Sequence, residues 1–341
     1  MKQIYIHVGA GKTGTSALQE FFFINRHLLD EKGVWVPTIG AVESNRFIAH
    51  HDLAGGRDSA PIDPRLLWEK VRSESENKSC VLVSSEIFHS RLRGQWGKDL
   101  FLWIKSLFYD WRVVCIYYIR RQDQWNESAY EQWVKDGTLR NGTTVEEFSL
   151  SFAGNQVEEI SNISEIFGKE NVVVRPYQRK QMVSGSIFSD FLSHVGIKEE
   201  GFSYPEKNPN PRLSIDALEF KRMSNAVLQT KKEAQYLLRP LIEYSNAKHR
   251  STSEIYRSYT LISRDVRKEI LDRYSEDYSY IAKEYLGRED GNLFYEEEDK
   301  KHVSAYLELE EAVKITSFLF VNIIKRLEKI EKRVRLLECD D

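Results

Sequence analysis

The sequence is poor in cysteine and has no long apolar run. Only three of its 341 residues are cysteine, and their odd number and wide spacing exclude a disulfide framework. Cys80 and Cys115 lie in apolar stretches, so we expect buried thiols and a reducing compartment. Because no run of about eighteen apolar residues is present, the sequence predicts no transmembrane helix.

Neither sign of charge dominates the sequence. It contains 49 Lys and Arg against 52 Asp and Glu, a formal net charge of −3. This balance lacks the basic character of nucleic-acid-binding proteins, so we expect no nucleic-acid partner. With 41% hydrophobic and 12% aromatic residues, the chain can fill the core of a large globular domain. Its first strand begins at residue 2, and we therefore expect no signal peptide and a cytoplasmic location.

The first nineteen residues combine a strand, a glycine-rich loop and the start of a helix. Residues 2–8 carry a strand pattern, residues 9–16 read GAGKTGTS, and the pattern that follows predicts a first helix from about Thr15 to Leu29. The glycines allow successive backbone N–H groups to face one concavity, the helix adds its N-terminal donors, and Lys12 adds a full charge. The loop therefore suits a phosphate-like or sulfate-like anion. The residues expected to bind it are Gly11, Lys12, Thr13, Gly14, Thr15 and Ser16.

Three known kinds of anion-binding loop compete for this stretch. A Walker loop requires a glycine where this chain has Ile6. Gly9, Gly11 and Gly14 match the dinucleotide pattern G-x-G-x-x-G, but that loop does not require Lys-Thr between its glycines. The segment from His7 through Lys12-Thr13-Gly14-Thr15 to Gln19 resembles the 5′-phosphosulfate loop of sulfotransferases that use 3′-phosphoadenylyl sulfate (PAPS). It is most similar to the bacterial branch that begins with H-x-G-x-x-K-T-G-T.

A second motif follows a predicted strand at residues 112–119. Arg120 ends this strand, and Ser128 lies eight residues later inside the next predicted helix. In PAPS-dependent sulfotransferases an arginine and a serine at this spacing hold the 3′-phosphate, and the resemblance implies that role here. The family commonly has proline two residues after the arginine. This chain has Gln122, so we expect a less rigid loop, with Arg121 as an alternative to Arg120.

The family often adds phosphate-binding residues from a late loop. Residues 207–214 form a proline-broken loop here, but the R-K-G triplet of cytosolic eukaryotic members is absent. Arg212 is therefore a candidate ligand for the nucleotide, and a solvated loop arginine is the alternative.

Two residues are candidates for the catalytic base. Glu86 lies at the carboxyl end of a buried strand pattern, where parallel sheets place their ligands, or else serves as an N-terminal acid of the next helix. His51 follows His50 in a turn-rich stretch, and the resemblance suggests a histidine near the acceptor here. The alternative for His51 is packing in a loop. Adjacent histidines face apart and no Cys/His cluster completes a site, so we expect no metal.

The C-terminal residues have a heptad pattern. Apolar residues recur at alternating four- and three-residue steps from Leu309 to Leu337, after an acidic run at 296–299. This pattern predicts a coiled-coil-like helix and a homodimer. Two alternatives stay open, namely peripheral contact of a basic amphipathic helix with the inner membrane surface and packing onto the chain's own domain.

The sequence therefore predicts an α/β protein with a P-loop-like three-layer fold around a central parallel sheet and a helical C-terminal part. We expect a catalytic domain at residues 1–290 and an amphipathic helix at 300–339. The resemblance implies transfer of a sulfuryl group from PAPS to a hydroxyl, releasing adenosine 3′,5′-bisphosphate without a metal. It also implies a carbohydrate or glycolipid acceptor, because the bacterial branch modifies these. The alternatives are a nucleotide-dependent kinase and a non-catalytic nucleotide-binding scaffold.

Overall fold

The structure is a computed structural model that describes residues 1–44, 46–56, 63–205, 212–251, 259–295 and 301–338. For residues 43, 249–251 and 335–338 it describes the backbone alone. Most of the proline-broken loop before Arg212, the acidic run at 296–299 and Cys339 lie outside the described residues.

The chain folds into two compact units, each made of three stretches of sequence. The first unit comprises Met1–Gln122, Ala153–Lys207 and Arg273–Glu296, and the second comprises Asp123–Phe152, Asn208–Asp272 and Glu297–Asp341. The domains predicted from the sequence, a catalytic domain at 1–290 and a helix at 300–339, stay a prediction.

A parallel sheet forms the centre of the first unit. The strands are, in chain order, β1 (Gln3–Val8), β2 (Val34–Trp35), β3 (Val42–Glu43), β4 (Ile48–Ala49), β5 (Cys80–Ser85), β6 (Arg112–Ile119), β7 (Val172–Pro176), β8 (Tyr259–Thr260) and β9 (Lys301–His302). Five of them form the sheet in the order β2-β5-β1-β6-β7, and every pairing in it is parallel. The predicted parallel α/β sheet is therefore confirmed. The carboxyl ends of β5, β1 and β6 lie side by side at one edge.

Helices of the first unit pack on both faces of this sheet. The described residues of the two units together form the helices α1 (Thr15–Ile24), α2 (Arg26–Glu31), α3 (Pro64–Glu74), α4 (Ile87–Arg91), α5 (Gln95–Leu107), α6 (Gln122–Lys135), α7 (Val145–Ser151), α8 (Gln156–Phe167), α9 (Ile187–Val195), α10 (Ile215–Val227), α11 (Lys231–Ser251), α12 (Arg264–Arg273), α13 (Ser275–Leu286) and α14 (Leu309–Glu338). Ile4, Ile6 and Val8 of β1 face a core formed with α3, α5, α8 and α13. Tyr5 faces a second core formed with α1, α2 and α9. This alternation explains why apolar runs without polar interruption form the central strands.

The predicted helix from Thr15 to Leu29 is interrupted, so that prediction was wrong in its length. The break lies at Asn25, whose side-chain amide donates to the carbonyls of Phe21 (2.8 Å) and Ser203 (2.7 Å). Its side-chain oxygen accepts the Ser203 N–H. An asparagine that bonds nearby backbone in this way competes with continued helix.

In the second unit, the first turns of α14 pack against α10 and α11. Ile315 is fully buried, Phe318 meets the Tyr244 ring edge-on, and Glu311 pairs with Lys248 at 2.8 Å. Packing onto the chain's own residues, one of the alternatives for this helix, therefore holds for one face of its first turns. Within the described residues, no helix combines the length and apolar composition that crossing a membrane requires.

Candidate functional site

The glycine-rich loop joins the carboxyl end of β1 to the start of α1. A Cβ on Gly9 would lie 2.5 Å from the Thr15 side chain, so only glycine fits there without a shift. Gly14 has φ +80°, and a Cβ on it would lie 2.6 Å from Ile187. Lys12 also has a left-handed φ of 68°, a conformation that costs a non-glycine residue roughly 1–3 kcal/mol. The loop thus contains left-handed backbone at Lys12 and again at Gly14.

The two buried threonines of the loop bond inside it. The Thr13 hydroxyl donates to the Ala10 carbonyl at 2.5 Å, and the Thr15 hydroxyl lies 3.4 Å from the same oxygen. Gly11 and Lys12 are half-buried and Ser16 is exposed. The threonine hydroxyls therefore shape the loop, and a direct contact of either with an anion stays a prediction.

The start of α1 offers backbone donors beside this loop. Gly14 is its N-cap, and no side chain caps the helix there. The first-turn N–H groups of a helix have no partner within the helix and form the positive end of its dipole. An anion in the loop would meet these donors together with Lys12.

Glu86 follows β5 and lies within reach of a residue on α1. The Gln19 side-chain amide donates to Glu86 Oε2 at 3.0 Å. His51 Nε2 lies 3.6 Å from Glu86 Oε1, beyond the length of a direct hydrogen bond. Glu86 is the N-cap residue of α4, but its side chain makes no capping bond, which speaks against the alternative of a helix-terminal acid. The structure thus brings together both predicted base candidates, Glu86 and His51.

Ser85 orients the His51 ring. The Ser85 hydroxyl accepts the Ile87 N–H at 3.2 Å and lies 2.9 Å from His51 Nδ1. With the Ser85 proton donated to Nδ1, the neutral ring carries its own proton on Nε2, facing the Glu86 carboxylate. The His51 side chain is 2% exposed, whereas that of Glu86 is 31% exposed. Glu86 is therefore the more accessible of the two to an acceptor.

Two further histidines near this site, His50 and His7, are fully buried. His50 faces away from His51, as predicted for adjacent residues, and its Nε2 lies 2.8 Å from the Pro37 carbonyl. Burial lowers the pKa of His50 to about 4, although its backbone hydrogen bonds raise it. Burial likewise lowers the pKa of His7 to about 4, against an upward pull from the Glu86 carboxylate. Both rings are thus neutral near pH 7.

Arg120 is anchored beside the anion loop. Its Nη1 donates to the Lys12 carbonyl at 2.7 Å, and its guanidinium lies 5.7 Å from the centre of the Tyr177 ring. Its backbone N–H and carbonyl both bond the Gln156 side-chain amide at 3.0 Å. The structure therefore joins two motifs that lie 108 residues apart in the sequence.

The segment after Arg120 has no proline at residue 122 and is held by hydrogen bonds instead. The Gln122 N–H donates to the Tyr278 hydroxyl at 2.7 Å, and the Gln122 side chain lies 3.3 Å from that of Gln156. These bonds restrain the loop that the missing proline led us to expect to be less rigid.

The other two predicted nucleotide ligands belong to the second unit. Ser128 is buried in α6. Arg212 Nε lies 3.3 Å from Glu131 Oε2. Their roles in phosphate binding stay predictions.

Three polar residues of the site were missed in the sequence. Gln19 falls within the resembling stretch, and its place there was a usable signal. Gln156 and Tyr177 carry no local signal, since only the fold brings them to Arg120. The described residues contain no group of three or more His, Cys, Asp or Glu that could hold a metal ion.

Comparison with known proteins finds few matches. No protein-family model matches the chain. An uncharacterized protein of Archaeoglobus fulgidus is 28% identical over 188 residues, which are 55% of this chain and 49% of that protein, so the chain spans about half the length of this relative. The crystal structure of a sulfotransferase from Alicyclobacillus acidocaldarius is similar with a TM-score of 0.36 and 15% identity, over 71% of this chain and 96% of that one.

Proposed function

We propose that this protein transfers a sulfuryl group from PAPS to a hydroxyl of a saccharide or glycolipid. The observation that carries the proposal is one side-chain bond, from Gln19 of α1 to Glu86. It links a carboxylate to the helix that begins directly after the anion loop, so a base lies beside a site for a charged leaving group. The residue resemblance of that loop to the PAPS-dependent family supplies the identity of the donor.

In the proposed reaction the acceptor oxygen bonds to sulfur, while the bond from sulfur to the bridging phosphate oxygen breaks. The electron pair of the broken bond stays on the departing adenosine 3′,5′-bisphosphate. Lys12 and the backbone N–H groups of the loop stabilise the charge that builds on that oxygen. Glu86 takes the proton of the acceptor hydroxyl, with Gln19 orienting its carboxylate, and His51 is the alternative base. Arg120, with Ser128 and Arg212, is assigned to the nucleotide on sequence grounds.

A thermal-shift panel tests the proposal. A ligand that binds the native state stabilises it by RT ln(1 + [L]/Kd), so adenosine 3′,5′-bisphosphate should raise Tm of the full chain. The same rise should be lost in Lys12→Ala. A rise with ATP–Mg²⁺ alone would indicate the kinase alternative. No rise with any nucleotide would contradict nucleotide binding altogether and leave a scaffold whose pocket is vestigial.

The acceptor needs a separate assay. Incubation of immobilised saccharides and glycolipids with labelled PAPS should transfer label to one class of hydroxyl, and Glu86→Gln serves as the inactive control. Binding of adenosine 3′,5′-bisphosphate without transfer to any of these acceptors would contradict the acceptor class and leave the donor standing. We also propose that the C-terminal helix joins copies of the chain, and that proposal does not depend on the chemistry.

A further inference from the structure

Helix α14 has two apolar faces with different surroundings. The first is covered by the chain's own second unit, through Ile315, Phe318 and the Glu311 pair with Lys248. The second, which we call the seam, consists of Leu309, Val313, Thr316, Phe320, Ile323, Leu327, Ile330 and Val334. All of these seam side chains are exposed, for example Phe320 at 63% and Ile330 at 57%.

The second half of the helix has no cover from the described residues of its own chain. Every side chain from residue 323 to residue 334 is exposed. The backbone is nevertheless a regular helix to Glu338, and its 30 residues span about 45 Å. An isolated helix of this kind is marginal in water, because most helical stability in proteins comes from packing of an apolar face.

Beyond the exposed Val321 and Ile324 the seam is narrow, which favours a helix over a membrane as its partner there. In heptad terms Phe320, Leu327 and Val334 occupy position a, and Ile323 and Ile330 occupy position d. From residue 325 to 334 no other apolar residue interrupts the charged positions. A strict a/d stripe is the seam of a coiled coil, whereas a helix lying on a membrane presents a broader apolar face.

The polar seam residue does not oppose such a contact. Thr316 donates its hydroxyl to the Ala312 carbonyl of its own helix at 2.8 Å. Its hydroxyl proton would therefore stay bonded if another helix covered it, which avoids the cost of an unpaired buried donor.

The charges beside the seam select a partner and its direction. Arg326 occupies position g and Glu331 the following position e, and the sequence repeats this pair at Arg333 and Glu338. In a parallel pair of helices each g residue meets the next e residue of the partner, so arginine meets glutamate. In an antiparallel pair g meets g and e meets e, which would place arginine next to arginine and glutamate next to glutamate. The chain is thus complementary to a second copy of itself in the parallel direction.

We propose that α14 pairs in parallel and in register with α14 of a second copy, from Phe320 to Val334. The contact buries the seam residues from Phe320 to Val334 and forms ion pairs between Arg326 of one copy and Glu331 of the other. Leu at position a with Ile at position d also fits three or four parallel helices. A trimeric or tetrameric mass would therefore keep the parallel contact.

Charge reversal in the full chain tests the register. Arg326→Glu and Glu331→Arg each place like charges at both symmetric contacts, and each should raise the dissociation constant roughly tenfold in sedimentation equilibrium. The double variant R326E/E331R should restore the wild-type value. Lys325→Glu and Glu328→Arg, on the outer face, are the matched controls and should leave it unchanged.

A cross-link tests the direction independently. In a chain with Cys339→Ser, Ile330→Cys should form a disulfide-linked dimer on mild oxidation, because position d meets its own copy in a parallel register. Lys332→Cys, on the outer face two residues later, should not. A cross-link at 332 with none at 330 would overturn the register.

Mass and vesicle binding separate the two partner classes. A monomeric mass at every micromolar concentration overturns the proposal. Suppose that this monomer binds phosphatidylserine vesicles, and that Arg326→Glu weakens this binding while Glu331→Arg strengthens it. The partner is then a membrane. Pairing of two copies instead requires that both substitutions raise the dissociation constant for self-association.

Discussion

At the scale of single residues, a substitution of the accessible Glu86 should distinguish nucleotide binding from catalysis. We expect Glu86→Gln to keep nucleotide affinity nearly unchanged and to lower kcat by about 10²–10⁴. The reason is that the amide keeps the size and the polar contacts of the side chain but cannot accept the acceptor's proton. Calorimetry and steady-state kinetics measure the two effects. A full rate loss in His51→Ala with none in Glu86→Gln would move the base to His51.

Gln19 is expected to act through Glu86 as a positioning residue. Removing its amide donor in Gln19→Leu should lower kcat/KM about tenfold by loosening the carboxylate. A carboxylate that loses a hydrogen-bond donor binds its proton more tightly, so the acid limb of the rate–pH profile should move to higher pH. Gln19→Glu should move that limb further, because a like charge adds to the effect. An unchanged pH profile in both variants would make Gln19 purely structural, and Gln95→Leu is the surface control.

Arg120 has two conceivable partners, and one comparison separates them. If Arg120 holds the 3′-phosphate, Arg120→Ala should weaken the binding of adenosine 3′,5′-bisphosphate by roughly 2–3 kcal/mol more than the binding of adenosine 5′-phosphate. If Arg120 only bonds the Lys12 carbonyl and does not contact the 3′-phosphate, the substitution should lower the affinity for both nucleotides equally. Isothermal titration of the two ligands gives the answer, and the same comparison on Arg121→Ala tests the alternative arginine.

At the scale of elements, a buried carboxylate joins the edge of the sheet to α9. Asp190 is bonded by Arg175 at 2.7 and 3.1 Å, by the Tyr118 hydroxyl at 2.9 Å and by the Val183 N–H at 3.1 Å. Burial raises the pKa of Asp190, but the Arg175, Val183 and Tyr118 contacts outweigh it and leave the pKa lowered. This carboxylate therefore stabilises the native state in its charged form.

We expect Asp190→Asn to lower the free energy of unfolding by about 3 kcal/mol, because it leaves a largely buried arginine without its charge partner. A lowered native pKa means that the unfolded state binds the proton first as pH falls. The difference between wild type and variant should thus be full above about pH 5 and shrink toward the lowered pKa.

Urea unfolding across that pH range checks both the size and the sign. Asp110→Asn is the matched control, since Asp110 pairs with Arg72 on the surface and should change stability by less than about 1 kcal/mol. A difference that grows on acidification would contradict the assignment.

At the scale of the whole molecule, the last turns of α14 should be separable from the rest. A chain ending at Asn322 keeps Ile315 and Phe318 on their own unit and loses the fully exposed turns. We expect it to be monomeric by light scattering and to keep its stabilisation by adenosine 3′,5′-bisphosphate. Loss of that stabilisation would show that self-association supports the nucleotide site.

The sequence by itself determined the elements that depend on local pattern. Continuous apolar runs predicted β5 and β6, and the spacing of glycines around Lys12 predicted a loop between a strand and a helix. These predictions hold because burial on both faces and left-handed backbone are imposed over a few neighbouring residues. The heptad pattern likewise predicted where α14 lies in the chain. It did not predict which face of the helix its own chain covers.

Only the tertiary structure decided which polar groups meet. Gln19, His51, Ser85 and Glu86 come together because β1 and β5 are neighbours in a parallel sheet and end at the same edge. Arg120 reaches the Lys12 carbonyl because β6 lies on the other side of β1. Strand order depends on the packing of the whole unit and leaves no trace in the spacing of residues, so the neighbours of each motif could not be read from the motif itself.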